Sequence, residues 1–178
     1  LPKTQLFSDK KVGDVYGRKF ISKHDLRVVL VNPEIPQNAG NIGRLCVGFG
    51  ASLHLVHPLG FKTDAAQLKR AGLDYWENLA VYEHASLDAF FEEFPQAAEK
   101  GWALTTKVKR PFTSAEFAAG DFLFFGPETK GLSSEFLKKC GDRCLTIPIM
   151  GPIRSYNLAN SVSIALFEAA RKVQPEAF

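Results

Sequence analysis

From Leu26 onward, short runs of aliphatic, β-branched and aromatic residues alternate with longer segments whose apolar residues recur at helical spacing. The short runs are RVVLVN at 27–32, LHLV at 53–56, WALTT at 102–106, FLFFG at 122–126 and CLTIPI at 144–149. Strands with one wet face alternate apolar and polar residues, whereas these runs are apolar almost throughout, the pattern of strands covered on both sides of a parallel sheet. A weaker strand is expected near 80–82, and helices near 38–49, 64–71, 86–94, 133–140 and 157–173. This alternation specifies an α/β fold, a mostly parallel sheet with helices on both faces. At 178 residues, the chain is expected to form one domain over 25–178, preceded by an extension at 1–24.

Charge separates the two parts. Residues 1–24 hold six Lys/Arg and two Asp, whereas 25–178 hold sixteen Lys/Arg and seventeen Asp/Glu, so the overall basicity comes from the extension. Net charge is therefore no argument for nucleic-acid binding by the folded body, and local clusters such as Lys69-Arg70 and Lys107, Lys109, Arg110 must carry it. A hydrophobic content of 46% with 23% charged residues excludes fibrous and disordered classes. No run approaches the roughly 18 apolar residues of a spanning helix, so no membrane partner is expected. Three cysteines, Cys46, Cys140 and Cys144, and no secretory signal point to a reducing compartment, cytoplasmic or organellar. Opening on Leu1, the chain is expected to be a processed or shortened form.

Ligands of open α/β sheets sit beyond the carboxyl ends of the strands, which directs attention to three loops. In NPEIPQNAGNIGRLC at 32–46, Asn38 is expected to cap a helix that displays Arg44 one to two turns later. Gly40 and Gly43 do not make G-x-G-x-x-G, and His57-Pro58 follows the second strand where a dinucleotide fold would need an acid. In FFGPETKGL at 124–132, Gly126 allows a ligand close approach and Glu128 sets a carboxylate at the strand end, ahead of a helix capped by Ser133 and stapled by Leu132 and Leu137. In IPIMGPIRSYNLANS at 147–161, a proline- and glycine-shaped loop delivers Arg154, Ser155, Tyr156 and Asn157 to the final helix, where Asn157 is a natural cap. That helix is apolar around more than one stripe, so a cover is expected on more than one side.

Asn38-x5-Arg44, GPETKGL at 126–132 and IP-x5-RS-x-NL-x-NSVS from Ile147 to Ser163 together resemble the three motifs of the SPOUT class of RNA 2′-O-methyltransferases. KRAGLDYWE at 69–77 and ALTTK at 103–107 make the chain most similar to the small TrmL subfamily, which acts on cytidine or uridine 34 of tRNA. The resemblance implies a deep trefoil knot in the carboxyl-terminal part, S-adenosyl-L-methionine as cofactor, a homodimer with a composite active site, and the tRNA anticodon stem-loop as substrate. It assigns cofactor contacts to Leu104, Thr105, Gly126, Glu128, Gly131, Ile147, Ser155 and Asn157, and RNA contacts to Arg44, Arg154, Lys69 and Arg70. Catalytic roles fall to Arg44, Asn38, Glu128, Ser155 and Asn157. Phe167 stands where some members have tyrosine, and the extension before Asp25 has no counterpart in the minimal enzymes.

The family's usual base is the arginine, but a guanidinium is effectively never deprotonated in a protein. Arg44 is better suited to binding the adjacent phosphate and stabilising a developing alkoxide. No metal is expected: His54 and His57 lie three apart on or just after a strand, and Cys140 and Cys144 have no ligand partners nearby in sequence. Two other readings share the motifs, a ribosomal RNA methyltransferase and a non-catalytic knotted RNA-binding protein.

Overall fold

The computed structural model describes residues 24–61 and 78–178. The predicted helix at 64–71 and the extension before His24 lie outside the described residues. Among the described residues the chain runs β1 (Arg27–Val31), α1 (Pro36–Phe49), β2 (Ser52–Val56), β3 (Val81–His84), α2 (Leu87–Glu93), α3 (Ala97–Lys100), β4 (Gly101–Leu104), β5 (Phe122–Phe125), α4 (Ser134–Cys140), β6 (Cys144–Leu145) and α5 (Leu158–Val173). The six strands form one sheet in the order β3-β2-β1-β5-β4-β6, every pair parallel. The sheet is the expected one, with the weak strand at β3 included. CLTIPI pairs as a strand only at Cys144–Leu145, because Pro148 and the turn toward α5 take the segment out of the ladder.

Period-2 alternation distributes the apolar strands to two cores. Val28 and Leu30 of β1 and Leu123 and Phe125 of β5 join Ile42 of α1 and Val162, Ala165, Leu166 and Ala169 of α5 on one face. Val29, Phe122 and Phe124 point the other way, into Phe90 of α2 and Phe136 of α4. The second core is dominated by aromatic edge-to-face contacts, such as Phe90 with Phe124 at 5.5 Å between ring centres.

Two helix starts follow local rules. Ser133 accepts from the Phe136 amide, with Leu132 and Leu137 packed in the same core as the staple requires. Asn157 accepts from the amides of Ala159 and Asn160. The first helix departs from expectation: it begins at Pro36 with Ile35 at the cap position, so Asn38 lies inside the first turn rather than capping it. Proline is well suited to that first position, having no amide to leave unpaired, and the Asn38 amide bonds to the Ile35 carbonyl. In α5, Leu158, Val162, Ala165, Leu166 and Ala169 form one buried stripe, while Ile164 and Phe167 stay exposed.

The histidines in and just after β2 do separate work. His57 pairs with Glu83 at 2.9 Å on the surface. His54 is buried and bonded in a chain, Ser52 Oγ to its Nε2 at 3.1 Å and its Nδ1 to His84 Nε2 at 3.1 Å, with His84 Nδ1 3.4 Å from Glu93. Burial, reinforced by His84 and Arg27, drives the pKa of His54 down to about 3. Burial also lowers that of His84, against the opposing pull of Glu93. Unfolding frees both to take up protons near pH 6.5, so their contribution is complete above that value and is lost as pH falls toward the folded values, by up to about 1.4 kcal/mol per pH unit for each proton. The free energy of urea unfolding should therefore fall between pH 7 and pH 5, and His54→Phe should make that dependence shallower.

Candidate functional site

The carboxyl ends of β1, β4, β5 and β6 open onto one cleft of about 510 Å³. Its walls come from the three sequence loops and the segment after β4: Asn38, Leu104 to Lys107, Phe125 to Gly131, Ile147, Ile149 and Arg154 to Leu158 all face it. Every residue expected to touch the cofactor, namely Leu104, Thr105, Gly126, Glu128, Gly131, Ile147, Ser155 and Asn157, lines this single space.

Polar joints fix the loops to one another. The Glu128 carboxylate accepts from the backbone amides of Glu34 at 2.8 Å and Ile35 at 3.2 Å and from Asn38 Nδ2 at 2.9 Å. Seated at the start of α1, it pairs the two amides just ahead of the helix and complements the positive end of the helix dipole. Glu34 reciprocates, its carboxylate accepting from the amide and the hydroxyl of Thr129, each at 2.9 Å. Asn38 is buried; while its Nδ2 donates to Glu128, its Oδ1 accepts from Asn157 Nδ2 at 2.9 Å. Asn157 in turn caps α5 through its own Oδ1. Asn38, Glu128 and Asn157 thus form one continuous network joining β1, β5 and α5.

Gly126 is required by the chain's own packing, whatever the cleft binds. A Cβ there would meet the Leu132 amide nitrogen at 2.2 Å and the Gly131 carbonyl carbon at 2.3 Å, so the loop folds back over this position. Gly131 adopts the left-handed φ of 65° and donates to the Pro127 carbonyl at 2.8 Å, closing the turn.

Ser155 and Arg154 are exposed on the third loop, facing the cleft. Arg44 is exposed on α1 and is not among the residues lining the cleft. Lys69 and Arg70 lie outside the described residues. Sequence reasoning missed the Glu34–Thr129 joint, whose only signal was an acid placed just before a helix start. It also read Lys107 only as part of a surface cluster, although its Nζ donates to the Leu132 carbonyl at 2.9 Å and the Lys130 carbonyl at 3.5 Å. Tyr156 closes the third loop on itself, its hydroxyl donating to the Pro148 carbonyl at 3.1 Å. Among the described residues no group of three or more His, Cys, Asp and Glu is arranged to hold a metal ion.

The SpoU rRNA Methylase family profile matches residues 25–167. A tRNA (cytidine(34)-2′-O)-methyltransferase of Saccharophagus degradans is 46% identical over 147 residues, covering 82% of this chain and 94% of that protein. A solved structure concerned with the 2-OH methylation of C/U34 on tRNA superposes with a TM-score of 0.77 at 45% identity, covering 84% of this chain and 96% of that one. An AdoMet-bound rRNA methyltransferase of Sinorhizobium meliloti superposes with a TM-score of 0.72 at 25% identity, covering 83% of this chain and 56% of that one.

The network makes an energetic prediction. Removing the Glu128 carboxylate leaves the Glu34 and Ile35 backbone amides and the Asn38 side-chain amide without their acceptor, and should cost about 2–3 kcal/mol, while loss of the Asn157 cap should cost about 1–2 kcal/mol. Because Asn38 connects the two, Glu128→Ala and Asn157→Ala together should cost at least 0.5 kcal/mol less than their sum, as coupled sites do, roughly. Urea denaturation of the four proteins of the cycle reads this directly.

Proposed function

The chain belongs to the SpoU methylase family, and on that premise we propose that it methylates the ribose 2′-oxygen of the wobble nucleotide, cytidine or uridine 34, in tRNA. The single observation that carries this reading is the convergence of three strand-end loops on one cleft, locked by the Asn38–Glu128–Asn157 network. The 46% identity to the S. degradans enzyme, over nearly its full length, selects the wobble ribose over a ribosomal target.

The cleft has the chemistry for an adenosine cofactor. Leu104, Phe125, Ile147 and Leu158 give it apolar walls, and the backbone of 126–131 borders it with peptide groups. Glu128, the acid of the lining, is already engaged by backbone amides and Asn38, so it exerts no unsatisfied pull. S-adenosyl-L-methionine, when bound, supplies a methyl group activated on a sulfonium. Leu104, Thr105, Gly126, Gly131 and Ile147 hold it through backbone groups and apolar contact, while Glu128 and Asn157 keep the loops in position. Ser155 orients the ribose. Arg44 grips the neighbouring phosphate through its two-pronged guanidinium and stabilises negative charge developing on the 2′-oxygen, with hydroxide or a substrate group taking the proton. Arg154, with Lys69 and Arg70, holds the RNA backbone.

Since Arg44 stands outside the cleft of its own chain, the composite site of a homodimer resolves the geometry, Arg44 of one protomer serving the other's cleft. An apolar patch supports that interface: Phe49, Phe167 and Phe178 are in mutual ring contact, with Phe167 48% and Phe178 57% exposed. The trefoil knot enters this reading through the resemblance to the SPOUT enzymes. Segment 146–157 leaves the edge strand β6, touches the loop after β4 through the Pro111–Thr146 bridge, and returns to α5 over the sheet centre. Residues 25–178 act as the single catalytic domain, with 1–24 as a basic extension. Among the described residues no helix is long and apolar enough to cross a membrane, and the site of action is where tRNA resides, the cytoplasm or an organelle.

Incubating the protein with S-adenosyl-L-methionine and an anticodon stem-loop carrying C or U at position 34 should yield one ribose methyl at that nucleotide, mapped by mass spectrometry. A 34-deoxy substrate should accept none. Arg44→Ala should lower the transfer rate on the order of 10²-fold or more while cofactor affinity stays nearly unchanged, and Arg44→Lys should retain measurable activity. In sedimentation the protein should be a dimer, and Phe167→Glu should give monomers without transfer.

A further inference from the structure

Among the described residues, the cleft holds one cation whose position is fixed by two backbone carbonyls and which makes no ion pair. The Lys107 ammonium donates to two neutral acceptors, the Leu132 carbonyl at 2.9 Å and the Lys130 carbonyl at 3.5 Å. An ammonium has three N–H groups, so one remains, and neither carbonyl neutralises the charge. Glu128, the carboxylate on the cleft lining, is turned toward the backbone amides of Glu34 and Ile35 and Asn38 Nδ2, neutral donors that leave its charge in place but not paired with Lys107. Lys130 and Arg154, also on the lining, add further positive charge on exposed side chains. The rim is therefore electropositive, and only at Lys107 do two carbonyls set the direction of that charge.

We propose that Lys107 anchors the α-carboxylate of the amino-acid end of the cofactor. The assignment rests on the methyltransferase reading above and deepens it, giving the bound molecule an orientation. An adenosyl sulfonium amino acid carries two positive groups, the sulfonium and the α-ammonium, and one carboxylate. The α-carboxylate and α-ammonium share one carbon, so the orientation comes from direct contact: the remaining N–H of Lys107 meets the carboxylate, and the α-ammonium and sulfonium turn away from the ammonium. The adenosine is left for the apolar walls at Leu104, Phe125 and Ile147. The same ammonium holds the turn that Gly131 closes, so the anchor is built into the loop it serves.

Two thioethers that differ only in the tail separate this role from a purely structural one. S-adenosylhomocysteine carries the amino acid, and 5′-methylthioadenosine ends in a methyl group. By calorimetry on the full chain, the unmutated protein should bind S-adenosylhomocysteine at least tenfold more tightly than methylthioadenosine. Lys107→Met should weaken S-adenosylhomocysteine about tenfold, the usual scale of a charge-assisted hydrogen bond, and leave methylthioadenosine within twofold. Lys107→Arg should recover part of the loss, and the preference for the longer ligand should shrink with added salt. Equal weakening of both ligands would show that Lys107 only clamps the loop and would overturn the assignment. No effect on either, or equal affinity of the two ligands for the unmutated protein, would overturn it as well. If the unmutated, folded protein binds neither ligand, the methyltransferase reading fails and the anchor with it.

Discussion

One carboxylate, that of Glu128, does for α1 what no residue in its own loop does. The first helix starts at Pro36 with Ile35 at the cap position and no side-chain cap, and the amides of Glu34 and Ile35 that lead into it find no acceptor in their own loop. Glu128 reaches them from the end of β5, a strand adjacent to β1 in the sheet but more than ninety residues on in sequence. The start of α1 is therefore completed only when the sheet has assembled and the loop after β5 has closed. With Glu34 answering to Thr129 and Asn157 answering to Asn38, the same interactions fix the relative positions of all three loops. A site built in this way is pre-organised: its polar groups are paired and aimed before any ligand arrives, and the energy of ordering them is met in folding rather than in binding.

The parallel sheet supplies the frame for this arrangement. Because all six strands run the same way, their carboxyl ends lie along one edge, and four of them feed the cleft. Alternating strand residues commit one face to α1 and α5 and the other to the aromatic core around Phe90 and Phe124. The buried histidines at the β2–β3 side and the cleft at the β1–β5–β4–β6 side are distinct regions of the same sheet. Acid sensitivity of the former is a property of the frame, whereas the pairing of Glu128 is a property of the site.

Much of this was legible in the chain. Apolar runs bounded by prolines and glycines gave the strands, since burial on both faces leaves a signature that does not depend on tertiary detail. Ser133 and Asn157 declared their helices because capping is local chemistry. The start of α1 was not legible: a local rule nominates Asn38, but the acceptor that matters arrives from position 128, and no local pattern encodes a partner so distant. The same limitation hid the role of Gly126, where sequence suggests room for a ligand and the chain instead needs room for its own turn at Gly131. Lys107 looked like surface charge because the two carbonyls that hold it belong to another loop. The residues that resemblance to the SPOUT enzymes assigns to the cofactor line one cleft, while the role of Asn38, Glu128 and Asn157 as joints emerges only from the hydrogen bonds.

Native-state amide exchange, followed residue by residue, tests the central claim that Glu128 and its partners form one cooperative joint. Opening the joint exposes the amides of Glu34 and Ile35, which bond to Glu128, and that of Thr129, which bonds to Glu34. These three amides should share one opening free energy in the unmutated protein and lose protection together in Glu128→Gln, while Val29 in β1 and Phe124 in β5 keep theirs. Loss of protection at Glu34 and Ile35 with Thr129 unchanged, or no change at any of the three, would contradict the account.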